Sequence, residues 1–416
     1  MKIRKALKSD EKDLMGLWAY CFEKPENPFF QWYFRDVYRP EEVLLGEVDG
    51  HIACDLHRRP YRVSVRGRAF ETDYIVGVAT HPAARGRGYG KELLRGAFHM
   101  AQREGKAFDI LMPSSASFYY PLGFSFYAYQ WKRRATPEEL RRLSEKPFSA
   151  GMVNGPEDWK PLAAIYEAYT RERSGYALRD KKFWKRLISG VRQEGYIALV
   201  SDETGPAGYM MYSLSGSHML ISEMAFTSPR GRRGLYAFMA GHQGSVADCT
   251  WYEPLSDHSF MNWNDGAEHT YIENKSFPFM MGRLLDPICA FDGLPAKAEG
   301  ETLCFQLIDS FLPDNNGVYV LAADSGHIHA YKTDVFYSLK LSIEEKSGLT
   351  MGGAVPDPAF ALNAGALAEL FFGASTAKDL DREDRLRWIG KPDKNEILAK
   401  TDALLPRQAT WNMEWY

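Results

Sequence analysis

The sequence is poor in the features that mark secreted, metal-binding or membrane-spanning chains. Its 416 residues hold five cysteines, Cys21, Cys54, Cys249, Cys289 and Cys304. They are odd in number, far apart and contain no CxxC pair. That argues against a disulfide framework or a zinc site and for reduced thiols in a cytoplasmic setting. No window approaches the roughly 20 apolar residues of a membrane span. The N-terminal "MKIRKALKSDEKDLMGLW" lacks an apolar stretch long enough for a secretory signal. The formal net charge is −3, so no basic field speaks for nucleic acid. His327 and His329 in "GHIHAY" could share a strand face, but no third ligand stands near them, and no metal is expected. A GxGxxG dinucleotide fingerprint and a GxxxxGK[ST] phosphate loop are also missing.

What is present is length and pattern. A chain this long exceeds one ordinary core and predicts two or three domains. Aromatic residues reach 14%, a high share that suggests pockets or large interfaces. Near the N-terminus, "LKSDEKDLMGLWAYCF" reads as a helix with Ser9 as N-cap and Leu14, Leu17, Trp18 and Cys21 on one face. "EVLLGEVDGHIACDLHRRPYRVSVRGRAFETDYIVGVAT" reads as consecutive strands, turned at Asp49-Gly50 and Arg66-Gly67. "GKELLRGAFHMAQREG" is a helix with Leu93, Leu94, Ala97, Phe98 and Ala101 on one side and Gly105 as its stop, and "KAFDILMP" is a strand. A linker, "TPEELRRLSEKP", then leads to a second unit with helices in "PLAAIYEAYTRERS" and "KKFWKRLI" and strands in "GYIALVSDETGPAGYMMYSL" and "HMLISEMAF". A third section has strands in "GVYVLAAD" and "DVFYSLKLSI" and a helix near "NAGALAELFFG".

The joint "HPAARGRGYG" between strand "DYIVGVAT" and the following helix suits a phosphate. The first amides of a helix have no internal partner and carry partial positive charge. Gly86, Gly88 and Gly90 let a ligand lie against the main chain, and Arg85 or Arg87 can add a charge-assisted contact. "TSPRGRRGLYAFMAGH" echoes this joint in the second unit. There the places four, six and eight residues after Pro229 hold Arg233, Leu235 and Ala237, not glycine.

"VGVATHPAARGRGYGKELL" resembles the R-G-x-G-x-G loop of the GNAT superfamily of N-acetyltransferases, which hold the pyrophosphate of acetyl-CoA in this way. The resemblance implies cofactor contacts from Val78, Ala79, Thr80, Arg85, Gly86, Arg87, Gly88, Tyr89, Gly90 and Lys91, and from Ser114 after the next strand. "LMPSSASFYYPLGF" is similar to the family segment whose tyrosine gives a proton to the leaving thiolate. Tyr119 occupies that place, with Tyr120 as its neighbour. The whole chain resembles the Eis (enhanced intracellular survival) family. That resemblance implies tandem GNAT-type α+β domains, mixed sheets flanked by helices, followed by an α+β domain like sterol carrier proteins. The corresponding boundaries are 1–145 for the active domain, 146–285 for a degenerate copy and 286–416 for the third.

The chain ends "ATWNMEWY", and Trp411, Trp415 and Tyr416 imply a buried tail. In the Eis-like family the C-terminal carboxylate enters the active site as base, which implies that role for Tyr416. An unperturbed α-carboxyl has a pKa of roughly 3.5, so it would need a dry site. Trp32 in "NPFFQWYFRDVY" matches a pocket aromatic of these enzymes, and Phe22 and Glu23 are further acceptor-side candidates, since aromatic faces beside carboxylates suit a cationic amine. His81 reads as a loop residue. The expected function is acetyl transfer from acetyl-CoA to a primary amine: a polyamine, an aminoglycoside or a lysine side chain. The alternatives are a noncatalytic acyl-CoA or lipid-binding protein and an enzyme using a longer acyl donor. The resemblance also implies a homo-oligomer, trimer or hexamer.

Overall fold

The two dipeptides expected to turn the chain do so. Asp49 and Gly50, and likewise Arg66 and Gly67, have φ of 52° and 80°, the left-handed pair that matches the twist of a two-residue hairpin. They join strands Val43–Val48, His51–Val65 and Arg68–Thr80 into an antiparallel meander in this computed structural model, which describes residues 1–147, 149–263, 272–333 and 357–415. The chain divides into two compact units. One holds residues 1–7, 41–128 and 280–410, and the other residues 8–40, 129–279 and 411–416.

In the first unit, strand Lys2–Lys5 pairs with Val43–Val48 at one edge of the meander. At the other edge, Arg68–Thr80 runs parallel to Phe108–Leu111, with Asp73 opposite Asp109 and Tyr74 opposite Ile110. Residues 281–284 then close on Phe108–Leu111 antiparallel. The amphipathic helix Tyr89–Arg103 buries Leu93, Leu94, Ala97, Phe98 and Ala101, as its spacing predicts, and Gly105 with φ +76° ends the segment. Gly96 is needed on that helix because Ile3 lies under it, 2.9 Å from where a Cβ would stand. The third section adds a sheet of its own in the order 327–332, 317–324, 302–308, 360–363, 387–388. Its helix Ala364–Phe372 is capped by Asn363 and ended by Gly373 at φ +82°. His327 is exposed and His329 half-buried on strand His327–Lys332. The strand expected in "DVFYSLKLSI" lies outside the described residues.

In the second unit, residues 130–135 pair with Asp248–Pro254, which runs parallel to His218–Phe226, followed by antiparallel Gly205–Ser215, Tyr196–Asp202 and Ser149–Met152. Helices Trp159–Thr170, Lys181–Glu194 and Pro229–Ala240 accompany this sheet, and Trp184, Tyr209, Ile188 and Trp411 share one core.

Two readings need correction. Ser9 is not an N-cap. It lies in the 3₁₀ turn Lys8–Asp10, which runs straight into helix Glu11–Cys21. Asp10, the preceding residue, is already helical at φ −83°, ψ −11°, so no extended residue is left to cap. "TPEELRRLSEKP" is not a bare linker either. It forms helix Pro137–Leu143, started by a capping box between Thr136 and Glu139 and by Pro137 in its first turn.

Candidate active site

Strand Arg68–Thr80 carries a bulge where it approaches the glycine-rich joint. Asp55 pairs with Ala79 and His57 with Val76, so Gly77 and Val78 face the single residue Leu56. Gly77 takes φ +60° to allow it. The parallel ladder to Phe108–Leu111 covers Asp73 and Tyr74, and the strand runs on from there to Thr80. The bulge was legible as an isolated glycine inside the strand pattern "YIVGVAT", yet sequence reasoning had assigned Gly77 no role.

Beyond the bulge, His81 opens a short 3₁₀ turn, Pro82–Ala84, by accepting a hydrogen bond from the amide of Ala83 on its ring nitrogen. The loop residue expected at His81 is therefore a cap. The chain then passes Gly86 at φ +77° and Gly88 at φ +79° into helix Tyr89–Arg103. Space is open on the Cβ side of both glycines, so it is the left-handed backbone, and not crowding by protein, that requires them. Gly90 is different. A Cβ there would touch Thr80 Oγ1 at 3.5 Å and the Phe118 ring at 3.7 Å. The amides of Gly86, Arg87, Gly88, Tyr89 and Gly90 meet no acceptor among the described residues, whereas Lys91 and Glu92 already donate to the carbonyl of Gly88 at 3.1 Å each. A run of unclaimed donors at a helix N-terminus has the chemistry to cradle an anion. The two arginines part company. Arg85 is tied back, its Nε donating to the carbonyl of Thr80 at 3.2 Å, whereas Arg87 is exposed and makes no hydrogen bond or ion pair with the described residues.

Tyr119 ends the short helix Ala116–Tyr119 in the same unit. Its ring stands edge-on to Phe118 at 5.0 Å and to Phe124 at 5.7 Å. The residue is 8% exposed, and its hydroxyl makes no hydrogen bond to the described residues. Burial pushes the phenol up to about 12, so it stays protonated throughout the neutral range. Tyr120 is exposed and Ser114 lies in the exposed bend before the helix. Gly123, in the turn that follows, has φ +83°.

The acceptor-side candidates lie in the other compact unit. Asn27 caps helix Pro28–Trp32 through bonds from the amides of Phe29 and Phe30. Trp32 is buried and its ring presses on Gly190, where a Cβ would lie 2.7 Å from it. Glu23 accepts a hydrogen bond from Trp18 Nε1 at 2.8 Å, and Phe22 is partly exposed beside Trp18. The tail belongs to this unit too. Trp411 to Glu414 are buried. The Trp411 amide donates to the Ser174 carbonyl, Asn412 Nδ2 to the Gly175 carbonyl, and Gln130 Nε2 to the Asn412 carbonyl. Trp415 stacks on Phe277 at 5.9 Å. Tyr416 lies outside the described residues. Sequence reasoning missed the residues that seat this tail. Arg179, its side chain buried over the Tyr166 ring, donates from Nε to Glu414 at 2.9 Å and grips Glu223 with both terminal nitrogens. Three residues that distant in sequence give no local signal.

Known proteins match the chain in parts and as a fold. Residues 2–127 match the acetyltransferase (GNAT) domain family, and residues 175–284 match a second acetyltransferase (GNAT) domain family. Residues 289–413 match the sterol carrier protein domain family. No curated protein matches the sequence. A GCN5-related N-acetyltransferase from Anabaena variabilis superposes over 100% of both chains at 16% identity with a TM-score of 0.81. A conserved protein of unknown function from Enterococcus faecalis, a probable N-acyltransferase, aligns over 100% of this chain and 99% of its own at 18% identity and a TM-score of 0.82. Eis1 from Mycobacterium abscessus aligns over 100% of both chains at 15% identity and a TM-score of 0.72. At these identities the likeness is one of fold. The matched acetyltransferase domains imply use of acetyl-CoA. The chain carries two acetyltransferase domains of the GNAT type in tandem, followed by a sterol carrier protein domain.

Proposed function

We propose that the protein moves an acetyl group from acetyl-CoA to a primary amine, borne by a small cationic molecule or a lysine side chain. The observation that carries this reading is the run of unclaimed amides from Gly86 to Gly90 beside the bulged end of strand Arg68–Thr80. The diphosphate of coenzyme A is the ligand this cradle suits, with Arg87 as added charge and the bulged backbone at Val78 to Thr80 for the pantetheine arm. The amine attacks the acetyl carbonyl, the tetrahedral oxyanion collapses, and the carbon–sulfur bond breaks. Tyr119 gives its phenolic proton to the departing thiolate. A phenol held up at about 12 by burial is protonated when that step needs it. The ammonium proton of the attacking amine goes to a base, for which we propose the α-carboxylate of Tyr416, with the seated segment Trp411–Glu414 as its support.

We assign this chemistry to residues 1–145, with 146–285 as the degenerate copy and 286–416 as the third domain, in a cytoplasmic homo-oligomer. The acceptor-binding residues in this reading are Trp32, Phe22 and Glu23. A panel of amines assayed by thiol release tests the reaction class. Amine-dependent release of coenzyme A is expected; binding of acetyl-CoA without such release would make the protein a noncatalytic acyl-CoA binder. Appending a few residues after Tyr416 is expected to suppress turnover, and full activity in that form would remove the carboxylate from the mechanism.

A further inference from the structure

The turn after Tyr119 rests on a buried ion pair to which the third domain contributes one half. Arg283 is 0% exposed, and its Nη2 donates to Asp309 at 2.7 Å. Asp309 is fixed in turn, accepting from the amides of Phe311 and Leu312 at 3.1 and 2.9 Å and from Asn315 Nδ2 at 3.3 Å. The guanidinium lies over the rings of Phe98 and Phe311, 5.3 and 5.9 Å from their centres. Its Nη1 occupies the space that a Cβ on Gly123 would need, and the Ala364 methyl stands 2.9 Å from the same point. Gly123 therefore sits directly on the pair.

The same turn is bonded back to the acid candidate. The amide of Gly123 donates to the Tyr120 carbonyl at 3.0 Å and that of Phe124 to the Tyr119 carbonyl at 3.4 Å. The third domain also holds the strand that leaves the turn: Ser125 donates to Glu369, and Tyr127 stacks on Phe372 at 4.1 Å with 12° between the rings. The turn cannot settle toward the core without displacing a desolvated charge pair, and buried pairs move only at large cost.

We propose that Arg283 and Asp309 are positioning residues for acetyl transfer, holding the turn through Gly123 at the height that places the Tyr119 hydroxyl. This rests on the reading of Tyr119 as the proton donor. It gives the third domain a share in catalysis that needs no lipid.

A double-mutant cycle tests it. Arg283→Met with Asp309→Asn removes the pair without stranding a charge. In the full-length protein this paired variant is expected to lose kcat by tenfold or more, since small misplacements of a catalytic group cost on the order of 100-fold. The KM for acetyl-CoA should stay within about twofold. On a Tyr119→Phe background the same pair of changes should add less than about twofold, because its effect passes through the missing hydroxyl. Equal losses on both backgrounds, or no loss on the native one, would overturn the positioning role alone. Full turnover by Tyr119→Phe by itself would instead overturn the acid role and this proposal with it. If the paired variant does not fold, Arg283→Lys goes through the same cycle: it keeps the charge and withdraws the flat guanidinium from beneath Gly123.

Discussion

Two joints in this chain run from a strand into a helix, and they are built differently. The first spends residues 81–88 between Thr80 and the helix at Tyr89, and its amides at 86–88 meet no acceptor among the described residues. The second passes from Phe226 to Pro229 with only Thr227 and Ser228 between. There the Thr227 amide bonds the Ala207 carbonyl, and Ser228 Oγ accepts from the amide of Gly231. Gly231 survives because the Ala207 carbonyl leaves no room for a Cβ. Arg232 turns inward to Glu253, Asp257 and Ser259. The segment after strand Asp248–Pro254, "LSDHSFMNW", holds no tyrosine and supplies the acceptors instead.

The largest effect expected from this contrast is at the residue that the second domain lacks. Tyr119→Phe should cut turnover by roughly 100-fold to 10,000-fold while acetyl-CoA affinity changes little, read by thiol release and by calorimetry. Unchanged turnover would take Tyr119 out of the reaction. Next come the glycines. Gly88→Val puts a β-branched residue at φ +79° and should weaken acetyl-CoA binding by more than about tenfold, because the loop can no longer present its amides. Gly231→Val should leave that binding intact and lower the melting temperature, since the cost there is overlap with a backbone carbonyl. If both variants lost cofactor affinity alike, the contrast between the joints would be void.

The arginines sharpen it further. Arg232→Met strips one of two guanidinium partners from Glu253, which is fully buried. Breaking such a buried pair costs about 3–5 kcal/mol, to be measured by denaturant unfolding. Arg87→Met, at an exposed side chain, should change stability by less than about 0.5 kcal/mol. Its acetyl-CoA affinity should fall a few-fold, and the fall should shrink at high salt.

Much of the first domain was legible because its signals are local. Asp49-Gly50 and Arg66-Gly67 set the hairpins, and Leu93 to Ala101 wrote the helix face at a period of 3.6. "RGRGYG" carried the left-handed glycines and the open amides, and the aromatic ending carried the buried segment Trp411–Glu414. What stayed hidden was of two kinds. Some local signals were present but misweighed: Thr136 and Glu139 spell a capping box, and Gly77 marks a bulge. The rest is tertiary. That Gly231 is a packing glycine depends on Ala207, and that Gly123 rests on Arg283 depends on a strand far along the chain. Nor does the sequence tell the tied Arg85 from the exposed Arg87, because only the fold brings the Thr80 carbonyl to one of them.

The smallest effect separates two buried carboxyls. Glu253 lies between Arg133 and Arg232. Asp109 instead stands beside Asp73 across the parallel ladder, and Asp73 already takes Arg58 and Lys106. Burial first, and the neighbouring Asp73 second, push the Asp109 carboxyl well above the usual carboxylate range, against the pull of Arg58 and Lys106. The folded chain then keeps a proton that the unfolded chain gives up above roughly pH 3.9. Over that window the unfolded state binds fewer protons, so the contribution of Asp109 to stability declines as pH rises toward its folded pKa. Asp109→Asn removes the titrating group and with it the decline. The melting temperature of Asp109→Asn should match that of the native protein near pH 4 and exceed it by a few degrees at pH 8. A variant that instead lost ground as the pH rose would show that Asp109 is ionised and paired in the fold, and the asymmetry with Glu253 would disappear.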